Sequence, residues 1–396
     1  MSSRFSRSAK ASLLIGAGLA FSTAVSNVFV SMYLYRWLDN IAALTVFNLG
    51  QFVLLPAAFI AASFAARRFG ERAVLMAGLS LFVAFYGLLV LLGSASSRFL
   101  VLLGVVSGLA NGFFFTPYNL IMARVADVSD KGRFFGASGA LGSAATAMGP
   151  LVSTLAIGLA PTPERGYSLL FLSIVFVTAA MVLAALVLPN ERQAGALEIR
   201  RSLFARGNPR WKLALGISLT TGIRDGASWS VMSVLILQGA GSEMRAGYMN
   251  VGFAVLGIGV SYAVGRLLKP RNYSALWGSG SLIAVASALA ISLWPSPAGA
   301  AVSGVLWKLT ESMVFLPYGA VFLGILARCI REEGGAAGRN IGAEIWLNAG
   351  RILGAASFLA LAPFTADYAR ILFPVLTLSI PASWLVYRRY AGSLAG

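Results

Sequence analysis

The chain has 396 residues, 58% of them hydrophobic and only 11% charged, with a mean hydropathy of +0.79. That composition excludes a soluble globule, whose surface needs far more charge, and places the chain among polytopic α-helical membrane proteins. The net charge of +17 would suggest nucleic acid as a partner in a soluble protein; here the sidedness of membrane loops accounts for it, and no nucleic acid is expected.

There is no histidine and one cysteine, Cys329, which excludes imidazole relays, thiolate clusters and an internal disulfide. No phosphate loop or nucleophile constellation appears, so the expectation is a protein that is not an enzyme, holds no cofactor or metal and is not driven by ATP.

In chain order, a basic start is followed by an apolar run to Tyr35 that reads as a first span rather than a signal peptide, because many such runs follow. Twelve spans fit, near 11–35, 41–66, 73–92, 99–123, 134–160, 167–188, 211–237, 247–268, 273–294, 298–327, 341–363 and 368–387. Each is long enough to cross a hydrocarbon core of about 30 Å. With both termini cytoplasmic, most cations fall on the inner side, while Arg36, Arg98, Arg165, Arg245 and Arg370 lie outside. This is the expected positive-inside bias. The stretch 190–210 is basic and reads as a non-helical cytoplasmic linker beside anionic lipid. It separates one six-helix bundle, 1–189, from a second, 211–396.

The halves repeat each other. Asn48, Gly50, Val53 and Leu54 recur as Asn250, Gly252, Val255 and Leu256, and Phe115, Pro117 and Tyr118 recur as Phe315, Pro317 and Tyr318. Gly18 to Asn27 aligns with Gly216 to Asp225, and Gly132, Arg133, Gly136 and Ala137 with Gly338, Arg339, Gly342 and Ala343. A parallel duplication of a six-helix unit follows.

Ionisable groups interrupt the second half. Arg224 and Asp225 lie in the seventh span, Lys308 and Glu311 in the tenth, and Glu344, Asn348 and Arg351 in the eleventh. A charge at the bilayer centre costs about 3 kcal/mol on insertion scales, so such groups face a cavity or a partner. Steps of three and four put Lys308 with Glu311 on one face of their helix, and Glu344 with Asn348 and Arg351 on one face of theirs. Three cations and three anions are thus expected to form one neutral polar centre.

The duplicated twelve-span pattern resembles the major facilitator superfamily over nearly the whole chain. Ser63 to Arg72 is similar to its loop signature G-x-x-x-D-R-x-G-R-R, with Arg68, Gly70 and Arg72 in place, and Ser63, Arg67 and Glu71 departing from it. The resemblance implies that this loop controls interconversion of inward and outward states. With Arg67 where the aspartate belongs, the usual helix-loop salt bridge lacks its carboxylate. Gly136 and Gly149-Pro150 resemble part of an antiporter signature that Ala145, Ser153 and Thr154 interrupt, a push toward export. The arginine that many proton-driven exporters carry in the fourth helix is replaced near Gly108, so proton coupling would come from the second half. Gly222 to Gly226 and the Glu344, Asn348, Arg351 pattern resemble a sparsely characterised bacterial branch.

The fold so implied is an all-α polytopic membrane protein with twelve transmembrane helices in two six-helix bundles, the major facilitator fold, in the bacterial cytoplasmic (inner) membrane. Its seventh and tenth helices line a central cavity and its eleventh flanks it, so all six intramembrane charges border that cavity. Asp225, Glu311 and Glu344 are then the candidate coupling carboxylates. Arg224, Lys308 and Arg351 either hold them or receive an anionic substrate group, and Asn348 joins them. In the first half Asn27 and Asn111 stand where Asp225 and Glu311 stand in the second, and with Asn119 and Tyr118 offer uncharged polar contacts. Tyr318 and Trp307, among other aromatics, suit an amphiphilic substrate. A static salt-bridge network is the competing explanation for the charges. Gly136, Gly139 and Gly142 read as sites of close helix packing.

The expected function is secondary active transport by alternating access, with proton-coupled export of a small amphiphilic molecule leading. Proton-coupled import of a small polar solute and a lipid-type flippase are the alternatives. The partners expected are a small-molecule substrate, protons or another coupling ion, and the lipid bilayer, with the chain acting as a monomer.

Overall fold

The computed structural model describes residues 5–128, 131–192, 199–204, 208–333 and 336–394. They form twelve long helices, taken here as α1 (Arg7–Leu38), α2 (Ile41–Phe69), α3 (Glu71–Leu92), α4 (Leu100–Val128), α5 (Lys131–Leu159), α6 (Pro163–Ala185), α7 (Pro209–Ala240), α8 (Glu243–Leu267), α9 (Tyr273–Leu293), α10 (Pro297–Glu333), α11 (Ala336–Leu361) and α12 (Tyr368–Arg389). Ten are long and apolar enough to cross a membrane; the two that are not, α7 and α11, are helices that carry buried charge. Large apolar side chains face outward, Phe176 at 72% exposure and Leu282 at 70%. A soluble protein would hide such groups, whereas lipid accepts them.

Local signals set the helix starts. Ser6, Thr162, Asn208 and Ser242 each accept a backbone N–H three residues on, which occupies a donor left free in the first turn. Proline follows Thr162 and Asn208 at the first helical position, where its missing N–H is harmless. α1 widens into a π-helical turn over Ser26–Val30. Pro117 and Pro317 both lie inside continuous helices.

The chain folds as two compact units. One contains Met1–Asp39 and Val53–Ala194, the other Asn40–Phe52 and Gly195–Gly396. The division falls inside the uninterrupted helix α2, so the first thirteen residues of the second unit come from the amino-terminal half of the chain.

In the first unit α1 packs on α5 and α3 on both α4 and α6. The α3–α4 contact is close, since a Cβ at Gly78 would sit 2.5 Å from the Phe114 nitrogen. Gly136, Gly139 and Gly142 do not serve such a contact: a Cβ at any of them would meet nothing within 4 Å. The loop between α2 and α3 is organised instead by Gly70, whose φ of +92° suits only a residue without a side chain and lets Asn190 lie against it. Asn190 donates to the Phe69 carbonyl at 3.0 Å, and Arg72 donates to the carbonyls of Leu186 and Leu188, each at 3.2 Å. Arg68 lies over the Phe69 ring. Glu71 is buried and ion-paired with Arg124, which also pairs with Glu191. Glu71 therefore supplies a loop salt bridge although the aspartate position holds Arg67.

In the second unit α9 and α10 are joined by a reciprocal pair: Ser287 Oγ donates to the Ser303 carbonyl at 2.8 Å and Ser303 Oγ to the Ser287 carbonyl at 2.9 Å. Such small polar contacts substitute for the hydrophobic drive that lipid removes. The stretch expected to be non-helical contains a helix, Ile199–Phe204. Two indoles hold it: Trp211 Nε1 donates to the Ser202 carbonyl at 2.6 Å and Trp346 Nε1 to that of Leu203 at 2.9 Å. Residues 193–198 and 205–207 of the linker, Arg206 among them, lie outside the described residues.

Candidate functional site

The site is built on a backbone contact between α7 and α11. Gly222 and Gly226 lie one turn apart on α7, as Gly350 and Gly354 do on α11. A Cβ at Gly222 would collide with the Leu347 carbonyl, one at Gly226 with that of Arg351, one at Gly350 with that of Leu219 and one at Gly354 with that of Ile223. Four residues without side chains thus let the two helices touch main chain to main chain.

This contact brings the charges together. Arg224 is 2% exposed, Asp225 7% and Arg351 9%, so all three are out of bulk solvent. Asp225 uses both oxygens: Oδ1 accepts from Arg224 Nη2 at 2.5 Å and Oδ2 from Arg351 Nη2 at 3.2 Å. Arg351 Nη1 also donates to Asn348 Oδ1 at 3.2 Å, and Asn348 Nδ2 donates to Glu344 Oε2 at 3.3 Å. Glu344 therefore reaches the arginines through an amide, and two guanidinium groups share one carboxylate directly. The Nε atoms of both arginines have no hydrogen-bond partner among the described residues.

Aromatic rings face the two cations. The Arg224 guanidinium carbon lies 3.9 Å from the centre of the Phe315 ring on α10, and that of Arg351 lies 4.7 Å from Trp229 and 5.9 Å from Phe52. Each contact adds roughly 0.5–2 kcal/mol, the upper end where the cation is desolvated. Phe52 and Trp229 also touch each other, with ring centres 5.8 Å apart.

The remaining expected site residues are distributed differently. Lys308 and Glu311 pair with each other at 2.7 Å, both partly exposed, and no hydrogen bond or ion pair joins them to Asp225 among the described residues. The single neutral centre expected from the sequence is therefore two groups, because the three-residue step on α10 satisfies Lys308 and Glu311 locally. Trp307 packs against Phe373 of α12. Tyr318 lies between Trp277 and Phe322 with its hydroxyl beside Ser218, within electrostatic reach of Asp225, Glu344 and Arg224, so it borders the charged cluster. In the first unit Asn27 is exposed in the π-helical turn of α1, Asn111 Nδ2 donates to the Ser107 carbonyl of its own helix at 2.8 Å, and Asn119 is exposed. Tyr118 stacks on Phe114 at 4.9 Å, with its hydroxyl against Gly16.

Sequence reasoning missed Phe52 and the four-glycine contact. The glycine pairs at a spacing of four were the available signal; nothing local in α2 pointed to Phe52. One turn before Phe52, Asn48 is buried at 4% exposure and its Nδ2 has no partner among the described residues.

The model of the Major Facilitator Superfamily matches residues 11–343. Among relatives, a Bacillus subtilis (strain 168) protein described as "Uncharacterized protein YqgE" is 24% identical over 88% of this chain and 81% of its own length. A Geobacillus stearothermophilus protein, "Uncharacterized protein in sodM 3'region", is 28% identical over 47% of this chain and 87% of its own length. Crystal structures of the nucleoside transporter NupG share the fold: that of a single-residue mutant has a TM-score of 0.75 at 11% identity, covering 97% of this chain and 99% of that one. A second NupG structure has a TM-score of 0.70 at 12% identity, covering 98% of each chain. With twelve helices, a duplicated plan and a family match over most of its length, the chain belongs to the major facilitator superfamily.

Proposed function

We propose that this chain is a proton-coupled secondary active transporter that moves a small amphiphilic solute across the bacterial cytoplasmic membrane, with both termini on the cytoplasmic side. Asp225, bridging Arg224 and Arg351 at 2.5 and 3.2 Å within apolar helices, is the observation that carries this reading. Charges so placed are costly and are associated with ion and substrate pathways.

The bridge also bears on direction. An ionised Asp225 occupies both guanidinium groups. A protonated Asp225 releases them to an acceptor group on a solute, so proton and solute favour the same state. That linkage supports co-transport, hence uptake down a proton gradient, over the antiport export that the partial signature in α5 suggested. The fold shared with nucleoside transporters is compatible with uptake of a small polar solute. Glu344, one amide away, is a second proton carrier in this scheme.

The test is transport in proteoliposomes under an imposed pH gradient. Wild-type protein is expected to accumulate its solute inside vesicles held alkaline within. Asp225→Asn should keep solute counterflow while losing gradient-driven accumulation. Undiminished accumulation in Asp225→Asn and in Glu344→Gln would remove the coupling role.

A further inference from the structure

We propose that the Arg224–Arg351 pair is the receptor for an anionic group on a flat, aromatic solute, and that Asp225 is the resident counter-ion this group displaces. The inference rests on the transport reading above and names the class of solute. Two cations share one direct carboxylate, and the second carboxylate of the cluster, Glu344, meets Arg351 only through Asn348, which leaves the guanidinium groups short of direct acceptors. Both Nε atoms lack a partner among the described residues although Arg224 and Arg351 are 2% and 9% exposed, and a buried guanidinium donor left unfilled is costly. A carboxylate or phosphate fills such a fork with two parallel bonds.

The surrounding side chains restrict what carries that anion. Phe315 stands over Arg224 and Trp229 over Arg351, and each of these two residues is 37% exposed, which leaves aromatic surface beside the cations for a flat apolar body. Phe52 closes on Trp229 at 5.8 Å. Asn48, one turn from Phe52 on the same helical face, offers a buried amide donor with nothing to bind among the described residues. An aromatic acid with a second acceptor beyond its ring satisfies all of these groups together.

The probes are benzoate, 4-acetylbenzoate, phenyl phosphate, benzamide, cyclohexanecarboxylate, inorganic phosphate and a short-chain phosphatidylglycerol. Each is added at fixed pH to the purified full-length protein, and binding is read by thermal shift and calorimetry. Benzoate or phenyl phosphate is expected to bind at least tenfold more tightly than benzamide, cyclohexanecarboxylate or inorganic phosphate. Asp225→Asn, which removes the competing charge, should tighten the aromatic anion about tenfold. Arg351→Lys, which keeps the charge without the fork, should weaken it by a similar factor. Asn48→Ala should weaken 4-acetylbenzoate several-fold and leave benzoate unchanged.

Equal binding of benzamide and benzoate, or an Asp225→Asn protein that binds no aromatic anion more tightly than wild type, overturns the proposal. Tighter binding of the lipid than of any aromatic anion also overturns it, in favour of a headgroup. Gradient-driven counterflow of neutral solutes alone would overturn the anion receptor and leave the transport reading standing; no counterflow of any solute would remove the transport reading itself.

Discussion

Asp225 and Arg351 are 126 positions apart in the chain and 3.2 Å apart in the fold, and their meeting depends on no side chain between α7 and α11. Removing one member of a buried ion pair costs about 3–5 kcal/mol, because the other is left uncompensated, whereas an apolar replacement of both is often neutral. Asp225→Leu, which leaves both Arg224 and Arg351 uncompensated, is expected to lower the melting temperature more than Arg351→Met, which leaves Asp225 paired with Arg224. Adding Arg224→Met to the two should recover much of the loss, because no stranded guanidinium then remains. The triple variant should remain inactive in transport. Melting curves and solute counterflow on the three proteins check this; a stable triple variant with wild-type transport would mean that the cluster serves packing alone.

The glycine contact makes a second, purely steric prediction. Gly222→Ala and Gly350→Ala each place a methyl group against a carbonyl of the facing helix. Overpacking of this kind costs about 1–3 kcal/mol. Gly252→Ala on α8, where an added Cβ meets nothing within 4 Å, is expected to be neutral or slightly stabilising, since alanine favours helix over glycine by about 1 kcal/mol. Thermal denaturation in detergent separates the two classes.

At the loop between α2 and α3, Arg124 holds the buried Glu71 and the exposed Glu191. Arg124→Ala should therefore destabilise more than Glu191→Ala, whose pair is largely in water and contributes about 1 kcal/mol or less. Glu71→Gln, which keeps the shape without the charge, should fall between them. The comparison is made at equal ionic strength, because added salt screens the Glu191 pair first.

The linker helix Ile199–Phe204 is too short to persist alone. Its two indole hydrogen bonds are then the main local restraint, each contributing about 1 kcal/mol. Trp211→Phe with Trp346→Phe should speed hydrogen exchange over residues 199–204 while the exchange of α9 stays unchanged.

Much of this architecture was legible in the residues. Twelve apolar runs, the repeat of Phe115, Pro117 and Tyr118 as Phe315, Pro317 and Tyr318, and the charge bias of the loops are properties of local stretches, and local stretches settle helices in lipid. The Lys308–Glu311 pair was legible for the same reason, a step of three on one helix. Joining Arg351 to Asp225 needed a helix crossing, which depends on Gly222, Gly226, Gly350 and Gly354 acting together from two ends of the second half. Phe52 was hidden more deeply: it sits in α2, an element of the first half by sequence, yet its packing partners belong to the second unit. The linker helix escaped notice because tertiary hydrogen bonds, not its own six residues, hold it.

Where two main chains touch directly, there is no rotamer left to adjust. Four absent methyl groups therefore act as a ruler between Asp225 and Arg351, one that drift in neighbouring side chains cannot stretch. If those rings receive the cargo as proposed, descendants of this chain could exchange Trp229, Phe315 or Phe52 to admit a different one and still inherit the same spacing of charge. Chemical taste would diverge quickly among them, while the electrostatic grip beneath it stayed put.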